Sequence, residues 1–240
     1  IPQGAQADLQ DVTEEYGVVS VMGPRARDLL GKVTSADLSN EAFPFGAART
    51  IEIAGAEVRA LRLTYVGELG WELHCPVAAM PAVYEALMKA GGPYGIGHFG
   101  TYAVNAMRME KAYRGWGSEL TNEITPIEAA IERFVKFDTD FIGKAATLQR
   151  KQDSAQGQII YLEVEPGDSD TTGGEAITVG EGQVIGLTTS GGYGHRVGKS
   201  LAFAYVQPAY AKPGTDMTVW ILGEPRKAKV LAEPAYDAEN

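Results

Sequence analysis

The chain has 240 residues, with 45% hydrophobic, 31 acidic and 21 basic side chains, for a formal net charge of −10. That balance excludes a disordered chain, which needs low hydrophobicity, and speaks against a nucleic-acid surface, which needs a basic face. No apolar run approaches the roughly 20 residues of a membrane span. The single cysteine, Cys75, excludes an internal disulfide and a cysteine-built zinc site, and suits a reducing compartment. The chain starts at Ile1, and IPQGAQADLQDVTEEYG has neither the charged nor the apolar part of a signal peptide. It is therefore expected to be cut from a longer polypeptide.

Val18–Met22 is β-branched and strand-like. Gly23-Pro24 then opens a helix with Leu29 and Leu30 on its apolar side, since proline suits the first helical position. Ala48–Ile53 and Glu57–Tyr65 flank a turn at Gly55 and read as a hairpin. Met80–Ala90 is the best amphipathic helix, with Met80, Val83, Tyr84, Leu87 and Met88 at helical spacing before a Gly91-Gly92-Pro93 stop. Thr101–Tyr113 is predicted to be a helix that turns Ala103, Ala106, Met107 and Ala112 toward a core. Thr125-Pro126-Ile127-Glu128 is a capping box and predicts another helix start. Phe141-Ile142-Gly143 leads into a short helix through Lys151.

The pattern changes at the polar stretch Lys151–Gln158. Beyond it Ile159–Glu165, Gln183–Thr189, Ser200–Val206, Met217–Leu222 and Lys227–Ala232 read as strands. The fold class is α+β over residues 1–151, followed by a small β domain over 152–240.

Several stretches could carry chemistry. Gly95–Gly100 spells GxGxxG but follows no apolar strand, so the dinucleotide context is missing. Gly191-Gly192-Tyr193-Gly194 is read as a loop. His74, His98 and His195 are scattered without metal-ligand spacing. No GxSxG elbow occurs, and Cys75 sits in a strand-like run. More informative is Leu63–Leu73, where a strand ends, the chain turns on two glycines and a second strand begins. If Trp71, Leu73 and Cys75 share one face, Glu72 and His74 share the other. A flat heterocycle with an amino group and a ring N–H would partner such a glutamate. On spacing alone, a solvent-facing glutamate on a half-exposed sheet is the plainer reading.

TYVGELGWEL, AVNAMRMEKAYRGWGSELTNEITPIEAAI, FIGKAATLQ, GLTTSGGYGHRVGKSLAFAYV and the DLSNEAFPF stretch appear in an order that resembles the glycine-cleavage T-protein (aminomethyltransferase) family. The wording is closer to the folate-binding C-terminal half of dimethylglycine and sarcosine dehydrogenases. The similarity runs from about Val18 to the C-terminus. It implies a T-protein-like fold, N-terminally incomplete, that ends in a small β barrel or jelly-roll-like unit. It also implies a tetrahydrofolate-binding module, in a parent enzyme whose FAD domain lies outside this chain and oxidises an N-methylated amine. The one-carbon unit then passes to tetrahydrofolate.

Carried over by position, the resemblance makes Glu72 the carboxylate that holds the pterin and Tyr65 a residue that lines the folate pocket. Trp116 and Arg108 are further candidate cofactor contacts, with Arg108 and Glu110 read mainly as structural. An arginine that T-proteins carry near the start of the following helix is Val104 here. The catalytic residue is unknown within the chain, since the family's key aspartate lies N-terminal to it. This chain alone is expected to be inactive, and no metal is expected. Other readings are a stand-alone aminomethyltransferase or demethylase, or a non-catalytic module that keeps the fold. Partners are expected to be folate and a one-carbon unit, with homo-oligomer formation or association with the missing N-terminal part, but not nucleic acid or membrane. The location is expected to be cytoplasmic, or the mitochondrial matrix in a eukaryote. Because folate tails are anionic and the chain is acidic, Arg196 and Lys199 are expected to compensate locally.

Overall fold

The sheet strands and α2 form where apolar residues recur at the matching period. The computed structural model describes residues 4–153 and 156–237. The chain divides into two compact units, 1–99 and 100–240, described separately.

In the first unit β1 (Tyr16–Met22), β2 (Ala48–Ile53), β3 (Ala56–Leu61) and β4 (Gly70–Pro76) form one antiparallel sheet in the order β1-β4-β3-β2. The hairpin expected around Gly55 is present. Ile53 pairs with Ala56, and the two loop residues Ala54 and Gly55 both have positive φ. That is a type I′ turn, whose twist matches the flanking strands. β4 pairs with both β1 and β3. One face of the sheet is covered by α1 (Ala26–Leu30) and α2 (Met80–Gly91), burying Trp71, Leu73, Cys75, Ile51, Ile53, Val58 and Ala60 with Leu29, Leu30, Val83 and Leu87. Burial of each such side chain contributes roughly 1.5–3 kcal/mol, which is why the alternation holds its register. Spacing places Tyr84 on the apolar face of α2. Instead it is 42% exposed, and its hydroxyl is 2.7 Å from His98 Nε2.

The second unit carries α3 (Thr101–Glu110), α4 (Lys144–Gln152) and six strands: β5 (Gln158–Val164), β6 (Ala176–Val179), β7 (Gln183–Gly194), β8 (Lys199–Val206), β9 (Asp216–Ile221) and β10 (Glu224–Val230). The strands close into a barrel in the order β10-β5-β8-β7-β6-β9. Alternate residues of β5 and β8 serve two cores. Ile160, Leu162, Val164, Ala202, Ala204 and Val206 join one cluster, and Ile159, Tyr161, Leu201 and Phe203 pack with Met109 of α3 in another. Both faces are buried, so these strands read as nearly unbroken apolar runs.

Three expectations need correction. No α-helix follows the capping box. Thr125 and Glu128 do bond reciprocally, with Glu128 N–H donating to Thr125 Oγ1 (3.3 Å) and Thr125 N–H to Glu128 Oε2 (3.0 Å). The turn stops because Ala130 has φ +54° and because Ile159 N–H takes the Glu128 carbonyl at 2.7 Å. Next, of the residues expected to face a core from α3, Ala112 just past the helix is buried, but Ala103 is exposed and Ala106 and Met107 only half-buried. The helix buries its last turn, Arg108, Met109 and Glu110. Finally, Gly191–Gly194 is not a loop but the end of β7, paired with β8. A Cβ at Gly191 would overlap Thr171 Oγ1, and one at Gly194 would fall 2.9 Å from Glu110 Cγ. These glycines are there for close packing. Strand β6 was not expected at all.

Candidate functional site

β4 sets the site in the first unit. Its odd positions 71, 73 and 75 are fully buried, which forces Glu72 and His74 onto the opposite face. In register, Glu72 lies beside Ser20 of β1 and Leu61 of β3, and His74 lies beside Val18 and Arg59. The Glu72 side chain keeps 28% of its exposure, and its carboxylate is 3.5 Å from His74 Nε2. That nitrogen is buried and makes no hydrogen bond. Among the described residues, His74 is the one basic group within 4 Å of Glu72. A half-exposed carboxylate with open acceptor sites on a rigid central strand can bind two convergent N–H donors.

The connection from β3 to β4 is shaped locally. Thr64 Oγ1 accepts from the amides of Val66 and Glu68, each at 3.2 Å, and Gly67 takes φ +74°. Gly70 lies so close to β1 that a Cβ would overlap Met22 Sδ and meet the Val21 carbonyl oxygen at 2.5 Å. The turn therefore returns the chain directly into β4, and Tyr65 stays 36% exposed at its tip.

In the second unit Arg108 is 4% exposed. Its Nε and Nη2 donate to Asn105 Oδ1 at 3.0 and 2.7 Å, and its Nη1 donates to the Tyr113 carbonyl (3.1 Å) and Glu119 Oε2 (3.3 Å). Glu119 is fully buried. It also accepts from the Gly115 amide (2.6 Å) and from the Thr189 and Ser190 hydroxyls (2.5 and 2.6 Å). Asn105 Nδ2 donates to the Gly191 carbonyl at 2.9 Å, and Glu110 Oε1 accepts from the Arg196 and Val197 amides. The RxE pair thus acts through two separate sets of bonds, both reaching the β7–β8 hairpin. Trp116 sits on the tight turn from Gly115 to Leu120, with Gly117 at φ +83°, and is 89% exposed.

Glu72 and Tyr65 belong to the first unit, Arg108 and Trp116 to the second. Sequence reasoning missed Glu119 and Asn105. The signal was available only as polar residues embedded in a long motif whose partners lie some 70 to 86 residues away. Lys199 is paired with Glu163 at 2.7 Å, and the Arg196 guanidinium lies 5.5 Å from the Tyr236 ring centre. Gly95–Gly100 follows a 3-10 turn, Gly92–Tyr94, rather than a strand.

Residues 2–139 match the GCVT N-terminal domain, and residues 158–237 match the glycine cleavage T-protein C-terminal barrel domain. The chain is 44% identical over 233 residues to mouse mitochondrial dimethylglycine dehydrogenase, covering 96% of this chain and 27% of that protein. It is 38% identical over 247 residues to mouse mitochondrial sarcosine dehydrogenase, covering 99% and 27%. The chain thus spans about a quarter of the length of these relatives. The crystal structure of the glycine cleavage system aminomethyltransferase T from Bartonella henselae superposes with a TM-score of 0.81 at 24% identity, over 93% of this chain and 60% of that one. That likeness is one of fold.

Proposed function

This chain belongs to the glycine cleavage T-protein family, and from that premise we propose that it is a tetrahydrofolate-binding one-carbon transfer module. We place it in a dimethylglycine or sarcosine dehydrogenase-like enzyme that passes an N-methyl-derived one-carbon unit to tetrahydrofolate. The observation that carries this reading is Glu72: a carboxylate on a rigid strand, with open acceptor sites and His74 at 3.5 Å. It would take the amino group and ring N–H of the pterin edge as a pair, a charge-assisted arrangement with strong geometric preference. Tyr65 would line the pocket beside it; in the second unit the exposed Trp116 indole offers an apolar face of its own. Arg108 spends its donors within the protein and would act by holding the Gly115–Leu120 turn in place. No residue of the chain is assigned a catalytic proton transfer.

We further propose domains over 1–151 and 152–240, a reading supported by family matches that end at 139 and resume at 158. The short share of the dehydrogenase relatives that the chain spans supports an FAD-binding region elsewhere in a longer polypeptide. There the flavin would supply amine oxidation, and the present chain by itself would be inactive. Homo-oligomer formation, or association with that region, belongs to the same reading. Among the described residues no helix is long and apolar enough to cross a membrane. The mitochondrial relatives support a matrix location in a eukaryote, with the cytoplasm as its bacterial equivalent.

The test is calorimetric titration of tetrahydrofolate into the chain and into its Glu72→Ala variant. Loss of the paired acceptor is expected to weaken binding by about 1–3 kcal/mol. Equal affinity in both proteins would remove Glu72 from the site.

A further inference from the structure

The other face of β4 carries a feature that folate binding does not use. Trp71 is fully buried next to Glu72, on the opposite side of the sheet. Two guanidinium groups lie over its ring, Arg27 at 5.9 Å and Arg62 at 5.7 Å from the ring centre. A third, Arg49, lies 5.7 Å from the centre of Phe43, which packs edge-on against Trp71 at 6.0 Å. Arg27 and Arg62 reach one turn. Arg27 Nη2 donates to Asn40 Oδ1 at 2.7 Å, and Arg62 Nη1 donates to the Phe43 carbonyl at 2.6 Å. That turn is closed by Phe43 N–H donating to the Ser39 carbonyl at 2.9 Å.

None of these bonds neutralises charge. Among the described residues no carboxylate comes within 4 Å of Arg27, Arg49 or Arg62, although the chain carries 31 acidic side chains. Two acids close in sequence are engaged elsewhere: Asp28 faces Arg25 at 3.6 Å, and Asp37 accepts the Ser39 amide at 2.9 Å. Two polar atoms of the cluster are buried and make no hydrogen bond, Arg27 Nε and Trp71 Nε1. Burial and the like charge of Arg27 both hold the Arg62 guanidinium below its usual range. Like charges gathered without a counter-ion make a positive local field that attracts an anion. Asn40 and Arg49 are exposed and Arg27 and Arg62 half-buried, so the cluster opens to solvent at its rim.

We propose that Arg27, Arg62 and Arg49, around the Phe43–Trp71 pair, form an oxyanion-binding site that takes a carboxylate or phosphate group. The planar guanidinium fork suits either group. The site is separated from Glu72 by the sheet, so it stands whether or not Glu72 binds folate.

The test uses the 240-residue chain with acetate, succinate and inorganic phosphate as probes, against chloride at matched ionic strength. Of the three tryptophans, Trp71 alone is buried, so its fluorescence reports occupancy. A saturable change with at least one oxyanion is expected, weakened at least tenfold in both Arg27→Gln and Arg62→Gln. Which probe saturates tells carboxylate from phosphate. A second measurement needs no variant. The oxyanion should slow phenylglyoxal modification of Arg27 and Arg62 at least threefold while leaving Arg133 unprotected. Responses that match chloride, persist in both variants, or come without selective protection would overturn the site.

Discussion

Removing the Glu119 carboxylate tests how the second unit is held. Glu119 is fully buried and accepts from the Gly115 amide, the Thr189 and Ser190 hydroxyls and Arg108. Glu119→Ala leaves the Gly115 amide unpaired and Arg108 without its counter-charge. Breaking a buried ion pair from one side costs about 3–5 kcal/mol. Arg108 keeps Asn105 and the Tyr113 carbonyl, which places the loss toward the lower half of that range. At about 2–4 °C per kcal/mol for a chain of this size, Tm should fall by roughly 6–16 °C. Urea unfolding followed by tryptophan fluorescence in a Trp71→Phe background, where Trp220 on β9 remains, reads the second unit. The double variant Arg108→Met with Glu119→Leu removes both charges and should recover part of the loss. A Glu119→Ala protein within about 1 kcal/mol of wild type, or a double variant at the sum of the two single losses, would refute the network.

Gly191→Ala should destabilise by about 1–3 kcal/mol in the same assay, because its Cβ would overlap Thr171 Oγ1 and lie 2.7 Å from the Thr171 carbonyl. Ala54→Asn and Leu222→Asn should each stabilise by up to about 1 kcal/mol, since both residues hold positive φ before a glycine in two-residue hairpin turns; no change in urea midpoint would contradict this. Glu128 sets a pH dependence. Burial pushes its carboxyl up, but the Thr125 hydroxyl and amide, Arg150 and Tyr205 outweigh this and hold it below the ordinary value. A depressed folded value contributes stability above the unfolded value near 4.3, and that stability is lost as pH falls through the folded value. The stability gap between wild type and Glu128→Gln should therefore be constant from pH 7 to about 5 and shrink below about 4. Urea midpoints across that range check it, and a gap that widens in acid would reverse the sign.

The legible parts of the molecule were those set by local pattern. WELHC alternates cleanly, so the faces of Trp71 and Glu72 could be assigned before any neighbour was known, and the Gly55 hairpin and α2 followed from turn and helix chemistry. Strand β6 was not legible because its four residues lie between Gly173-Gly174 and Gly180, a composition that reads as loop. The capping box at Thr125 is legible as a local motif, but the helix it predicts does not form, because the long-range bond from Ile159 ends the turn. The buried face of α3 misled for a related reason. Arg108 and Glu110 are polar, and their burial becomes favourable only through Glu119 for Arg108 and through the amides of the distant β7–β8 hairpin for Glu110. At the candidate site, the open face of Glu72 could be read from one strand, whereas Glu119 needs partners 70 residues away.

The central claim is that Glu72 reads the pterin edge, and a ligand–protein cycle tests it most directly. Tetrahydrofolate and an analogue lacking the 2-amino group are titrated into wild type and Glu72→Ala. Wild type is expected to prefer tetrahydrofolate by about 1–3 kcal/mol, and Glu72→Ala to lose that preference. A preference of equal size in both proteins would contradict the claim.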